Sequence, residues 1–204
     1  MGQDVKPTRS ELQKLKKRIK LAKSGHNLLK KKRDGLILEF FEVLKEAKTL
    51  SQDMTDEYKN ALGKINISRV LDGDTKLKSV ALSVRHTPEI SLKTKNIMGV
   101  VVPKIESDHK SRSFLERGYG TIDSSAAIDE AAEAYEKVVE KVIKAAEVET
   151  SLKKLLSEIE KTKRRVNALE FSVIPKLNDV KAFITMRLEE MERENIFRMK
   201  RIKK

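Results

Sequence analysis

The chain has 204 residues and a formal net charge of +13, with 37% charged and only 4% aromatic side chains, no Trp and no Cys. Such a chain has little material for a thick aromatic core and much for long solvated helix faces, the profile of a coiled coil. It has no disulfide framework and no thiolate metal site, no apolar run near the roughly 20 residues of a bilayer span, and a polar start without a signal-peptide core.

The first element opens at Pro7-Thr8-x-x-Glu11, a helix start in which Thr8 accepts from a first-turn amide while Glu11 reaches back to the cap. Apolar residues then recur with 3,4 spacing: Leu12, Leu15, Ile19, Ala22, His26, Leu29, Arg33, Leu36, Phe40, Val43, Ala47, Leu50 and Met54. About six heptads with two polar interruptions predict a helix to about residue 62, about 80 Å long, which needs a partner along its length. His26 reads as a satisfied seam histidine rather than a ligand. Arg33 either reaches solvent past the seam or pins the helix register. Gly25 and Gly35 each cost a helix interior about 1 kcal/mol relative to Ala. The stretch from Lys6 to Arg33 carries about a dozen Lys and Arg against one acid, Glu11.

Residues 63–124 differ in character. "SVALSV" (79–84) and "EISL" (89–92) alternate in the manner of strands across a turn-like "HTP", and "NIMGVVVP" (96–103) is a third β-type run ended by Pro103. We expect a small β-hairpin or three short strands, followed by a polar loop. After "GYGTIDSS", where Ser124 or Ser125 can cap, a second helix is expected from Ala126 almost to Lys204. Its seam reads Leu152, Leu155, Ile159, Val166, Leu169, Val173, Leu177, Val180, Ile184, Leu188 and Met191. From Val166 onward the steps follow an 11-residue repeat, which predicts a nearly straight or slightly right-handed course. The whole reads as mainly α: a long antiparallel two-helix coiled coil of residues 1–62 and 125–204, with a small β-hairpin segment (63–124) at the closed end of a single elongated domain.

"RRVNALEFSVIPKL" (164–177) places Pro175 inside that second helix. A proline there costs about 3 kcal/mol. Roughly twenty seam residues, at about 1.5 to 3 kcal/mol for each well-buried aliphatic side chain, outweigh it. Pro175 lies between seam residues Val173 and Leu177 and so points outward, and the helix is expected to kink and continue. With the two chain ends flush, Gly35 falls opposite Pro175, and its missing side chain makes room for the bend.

No chemistry is legible. "DGDTKLKS" (72–79) lacks the second glycine and the Lys-Ser pair of a phosphate loop. His26, His86 and His109 lie in separate segments without metal-ligand spacing, and the acids of "LEEMEREN" (188–195) read as a solvated face. No catalytic, cofactor or metal site is assigned.

"GHNLLKKKRDGL" (25–36), "NIMGVVVPKIE" (96–106), "TKRRVNALEFSVIPKL" (162–177) and "EEMERENIFRMKRIKK" (189–204) resemble, in order and spacing, the D subunit of the archaeal and vacuolar-type rotary ATPases. The resemblance implies a non-catalytic central rotor shaft on the cytoplasmic face of the membrane. Its terminal helices insert into the ring of A and B subunits, the F subunit of the central stalk binds at the side, and a funnel-like subunit (C/d) joins it to the ion-carrying membrane ring. It implies no nucleic acid and no direct membrane insertion. Lys30, Lys31, Lys32 and Arg33, with Arg198, Lys200 and Arg201, are the expected ring contacts, and Pro175 with Gly35 the expected bend that makes the shaft eccentric. The alternative is a basic coiled-coil nucleic-acid binder or scaffold, for which binding would fall steeply with salt.

Overall fold

A computed structural model of the chain describes residues 6–84, 90–107, 117–119 and 125–203. Helix α1 (Arg9–Asp72) is followed by helix α2 (Asp74–Ser83), strands β1 (Ile90–Ile97) and β2 (Val100–Ser107), and helix α3 (Ala126–Ala168). One π-helical turn (Leu169–Val173) leads without a break into helix α4 (Ile174–Ile202). The chain divides into two compact units, one of residues 1–37 with 158–204 and the other of residues 38–157. Helix α1 contributes to both.

In the first unit, the start of α1 runs antiparallel to α4. Leu15, Ile19 and Ile184 form its buried cluster, flanked by Leu12, Leu177, Val180 and Leu188. Cross-helix ion pairs follow the same direction: Arg9 to Glu192 at 2.7 Å, His26 to Glu170 at 3.4 Å and Lys32 to Glu158 at 3.8 Å. Thr8 caps α1 as expected, its hydroxyl accepting from the Glu11 amide at 3.3 Å. The reciprocal half of the motif is absent. Glu11 pairs instead with Lys14 one turn on, at 2.8 Å, because Lys14 offers a full charge where the Thr8 amide, already bonded to the Lys6 carbonyl, does not.

In the second unit, the later part of α1 runs antiparallel to α3. Small residues carry much of this contact: Ala61 packs with Ala134 and Val138. Ser68 is fully buried and donates to the Ala127 carbonyl at 2.7 Å. Lys141 pairs with Glu57 at 3.2 Å.

All thirteen expected seam positions of α1 are buried or half-buried. In the second seam Val173 and Met191 are exceptions, each 39% exposed. Thr162, whose polarity disguised it in the sequence, is 1% exposed and fills the heptad place between Ile159 and Val166. Helix α1 extends past the expected end near residue 62 to Asp72, where Gly73, at φ 82°, breaks it.

The expected strand at 79–84 is helix α2. Leu77, Val80, Ala81 and Val84 recur at helical spacing and line one side of an apolar cavity of about 300 Å³, facing Ile128 and Tyr135. That tertiary surface rewards the 3.6 period over the competing alternation, which leaves Leu82 exposed. A hairpin forms, as expected in kind, but from other segments: the expected single run 96–103 is split by the turn, with β1 before it and β2 after it. Met98 and Gly99 take positive φ (49° and 86°) in a two-residue turn, and the Asn96 side chain accepts the Gly99 amide at 2.8 Å. Pro103, expected to end its strand, sits inside β2 opposite Thr94. Counting from the turn pair Ile97–Val100, that pair is a non-hydrogen-bonded one, so the missing N–H falls on the outer edge. The "HTP" turn, His86, His109, Ser124 and most of the polar loop lie outside the described residues.

Candidate partner-contact surfaces

The seven basic residues expected to touch a ring lie in two separate groups. Lys30 and Lys31 are exposed on α1. Lys32 is engaged with Glu158, and Arg33 binds Asp34 of its own helix at 2.7 Å. Arg33 therefore does not pin the register between the helices. His26 is satisfied in the seam by Glu170 and Asn27. Arg198 pairs loosely with Glu194 at 3.8 Å, while Lys200 and Arg201 occupy the last turn of α4, where cations offset the helix dipole. The last cross-helix pair on α4 is Glu192 with Arg9, about 30 Å along α1 from Lys30 at 1.5 Å per residue. The structure thus does not bring "LKKKRD" and "RMKRIKK" together.

Beyond Glu192, every described side chain of α4 is exposed, including Ile196, Phe197, Met199 and Ile202 among the basic residues. An exposed apolar set on a helical end has no internal reason and marks a contact surface. A second set lies at the other end of α1, where Ile67, Val70 and Leu71 are all more than half exposed. Gly63 shares that face, and a Cβ built on it would meet nothing within 4 Å.

Gly35 and Pro175 are not opposite each other. Gly35 lies past Lys32, whose partner is Glu158, whereas the His26–Glu170 pair lies nearer the proline. The flush-ends register misplaces Gly35 because α4 runs on past the start of α1. Pro175 is exposed, as expected, and the helix continues through it. The turn before it is π-helical, with the Ile174 amide donating to the Leu169 carbonyl five residues back. In an α-helix the Pro175 ring would press on the Phe171 carbonyl, and a widened turn relieves that clash.

A polar cluster that sequence reasoning missed anchors residues 117–119 to α3. Arg117 grips the Glu136 carboxylate with two nitrogens at 3.0 and 3.2 Å and donates to the Asp129 carbonyl at 3.3 Å. Tyr119 donates to the Asp129 carboxylate at 2.5 Å. Burial opposes the charge of Arg117, but hydrogen bonds with Tyr119 and Glu136 outweigh it and hold its pKa above the ordinary value. Burial, reinforced by the bond to Asp129, raises the pKa of Tyr119. The signal available in "ERGYG" was an arginine and a tyrosine around a glycine, and Gly118 does adopt φ 87°. Ser125 precedes α3, but its hydroxyl bonds the Asp72 carboxylate rather than a first-turn amide. Among the described residues no group of three or more His, Asp or Glu side chains could hold a metal ion, and no helix is long and apolar enough to cross a membrane.

The sequence matches a known family. The model of the family described as the ATP synthase D subunit covers residues 11–204. The chain belongs to the ATP synthase D-subunit family. It is 57% identical over 203 residues to the A-type ATP synthase D subunit of Methanococcoides burtonii, covering 100% of this chain and 98% of that relative. It is 57% identical over 201 residues to that of Methanosarcina mazei (98% and 96%), and 52% identical over 203 residues to that of Halorubrum lacusprofundi (100% and 89%). These matches leave the nucleic-acid-binding alternative without support.

Proposed function

We propose that the chain is the rotating shaft that couples ATP synthesis or hydrolysis in a ring of A and B subunits to proton or sodium movement through a membrane ring. The D subunit is a central-stalk component of an archaeal rotary ATPase, a complex that makes ATP and transports ions. The observation that carries the shaft role is the tip of α4, eleven residues from Arg193 to Lys203 that are exposed throughout and alternate Ile196, Phe197, Met199 and Ile202 with Arg198, Lys200 and Arg201. Apolar residues give such a tip a dry bearing surface. The guanidinium and ammonium groups slide among carboxylates and carbonyls without a single deep trap.

In this reading Lys30, Lys31 and Lys32 meet the ring at a second level, and the chain itself breaks no bond. The exposed Ile67, Val70 and Leu71 receive other stalk components, with the F subunit at the side and the funnel-like subunit toward the membrane. The complex holds the chain at the cytoplasmic face as a peripheral component. An off-axis course through Pro175 makes the shaft act as a cam, so that different catalytic subunits meet different faces.

Two experiments test this. The chain captured from its own cell extract should bring down large ATPase subunits; nucleic acid alone in the eluate would overturn the assignment. Pro175→Ala in the reconstituted complex should leave ATP turnover largely intact while lowering the ions moved per ATP. Unchanged coupling would refute the cam.

A further inference from the structure

The two helices of the first unit carry different repeats. On α1 the seam from Leu12 through Leu15, Ile19, Ala22, His26, Leu29 and Arg33 to Leu36 steps strictly 3,4, or 3.5 residues per turn. On the C-terminal side the steps from Leu152 through Leu155, Ile159 and Thr162 to Val166 follow the same rule. From Val166 to Leu188 they become 3,4,4,3,4,4, about 3.67 residues per turn. Over those six turns the C-terminal helix holds one residue more than a 3.5 repeat allows.

We infer that the π turn Leu169–Val173 takes up this one surplus residue, and that Pro175 fixes the turn in place, so that the pair sets the rotational phase of α4 and its tip. A π turn spends one residue more than an α turn, as the bond from the Ile174 amide to the Leu169 carbonyl shows. The slip is visible in burial: Val173, the expected seam residue, is exposed, and Ile174 is half-buried in its stead. Beyond the turn, Leu177, Val180, Ile184 and Leu188 pack on the Leu15–Ile19 cluster again. A surplus residue can in principle sit at any turn of a helix. Pro175 removes that freedom, because its ring needs a widened turn immediately before it and nowhere else. The tip from Arg193 onward inherits whatever phase this turn sets.

The test uses the 204-residue chain, whose lack of cysteine allows nitroxide labels at Gln13→Cys and Glu189→Cys, two positions lining one shallow groove between α1 and α4. Deleting Ser172 in a Pro175→Ala background should keep the melting temperature and the mean label distance of the Pro175→Ala parent, because the turn becomes a regular α turn. Deleting Ala182, in the same helix but outside the π turn, should rotate the seam away from α1, lower Tm by about 10 °C or more and change the label distance. Pro175→Ala alone should retain the mean distance and broaden its distribution. Equal losses from both deletions would overturn the surplus reading. A distribution as narrow as that of the parent chain in Pro175→Ala would overturn the pinning by proline.

Discussion

The two units solve the same problem, two antiparallel helix stretches side by side, with different chemistry. Residues 1–37 and 158–204 are held by large aliphatic side chains, Leu15, Ile19 and Ile184, and by ion pairs between half-exposed or exposed partners such as Arg9–Glu192. Residues 38–157 also bury aliphatic side chains, Ile128, Val138, Ile143 and Leu155, and add alanines and buried polar bonds, with Ser68 on the Ala127 carbonyl and Arg117 across Glu136 and Asp129. Aliphatic contacts are non-directional and tolerate small shifts along the helix. Hydrogen bonds to a named carbonyl tolerate none. The difference teaches that one unit is specified mainly by periodicity and the other by periodicity together with individual atoms.

The largest expected effects come from removing what is particular to each unit. Ile184→Ala, at a site with no exposure, should cost about 3 kcal/mol in chemical denaturation, whereas Phe197→Ala on the bare tip should leave stability within about 0.5 kcal/mol. An Ile184→Ala cost below about 1 kcal/mol would mean the aliphatic cluster does not hold its unit. Arg117→Met, which leaves the Glu136 carboxylate without its partner, should cost about 2 to 3 kcal/mol. If Arg117→Met is neutral, the contrast between the units fails on the polar side.

Smaller effects sharpen the comparison. Each unit has a glycine inside α1, Gly25 and Gly63, where a Cβ would meet nothing within 4 Å. Gly→Ala at either should raise stability by about 0.5 to 1 kcal/mol in the isolated chain. If Gly63→Ala also weakens assembly with the other stalk subunits, its face is a close-approach surface; full assembly removes Gly63 from the docking role.

Two pH limbs complete the set. The pKa of Tyr119 is raised in the folded chain, so its contribution is present below the ordinary tyrosine value near 10 and is lost as pH rises through the higher folded value. The alkaline fall in Tm should therefore be shallower in Tyr119→Phe. Glu11, Asp74, Glu106, Glu133 and Glu149 are held low by hydrogen bonds to Lys14, Lys78, Lys93, Lys137 and Lys153. Their contribution is present above their ordinary values of 3.8 to 4.5 and fades as pH drops through the lowered folded ones. All five side chains are at least 40% exposed, so the acid limb should be slight and should shrink further in high salt.

Periodicity and local punctuation were enough to determine the two long helices, the thirteen seam positions of α1, the Thr8 cap, the presence of a hairpin though not its strands, and the outward face of Pro175. Each rests on residues close together in the chain, where the 3.6-residue and two-residue periods act directly. Only tertiary structure decided the rest. The stretch from Leu77 to Val84 satisfies both periods, and the surface offered by Ile128 and Tyr135 selects the helix. Thr162, Ser68 and Arg117 are buried by partners up to 59 residues away or by a neighbouring helix, so their own polarity pointed to solvent. The π turn arises because two seams of different repeat must face each other, a mismatch that neither helix contains alone.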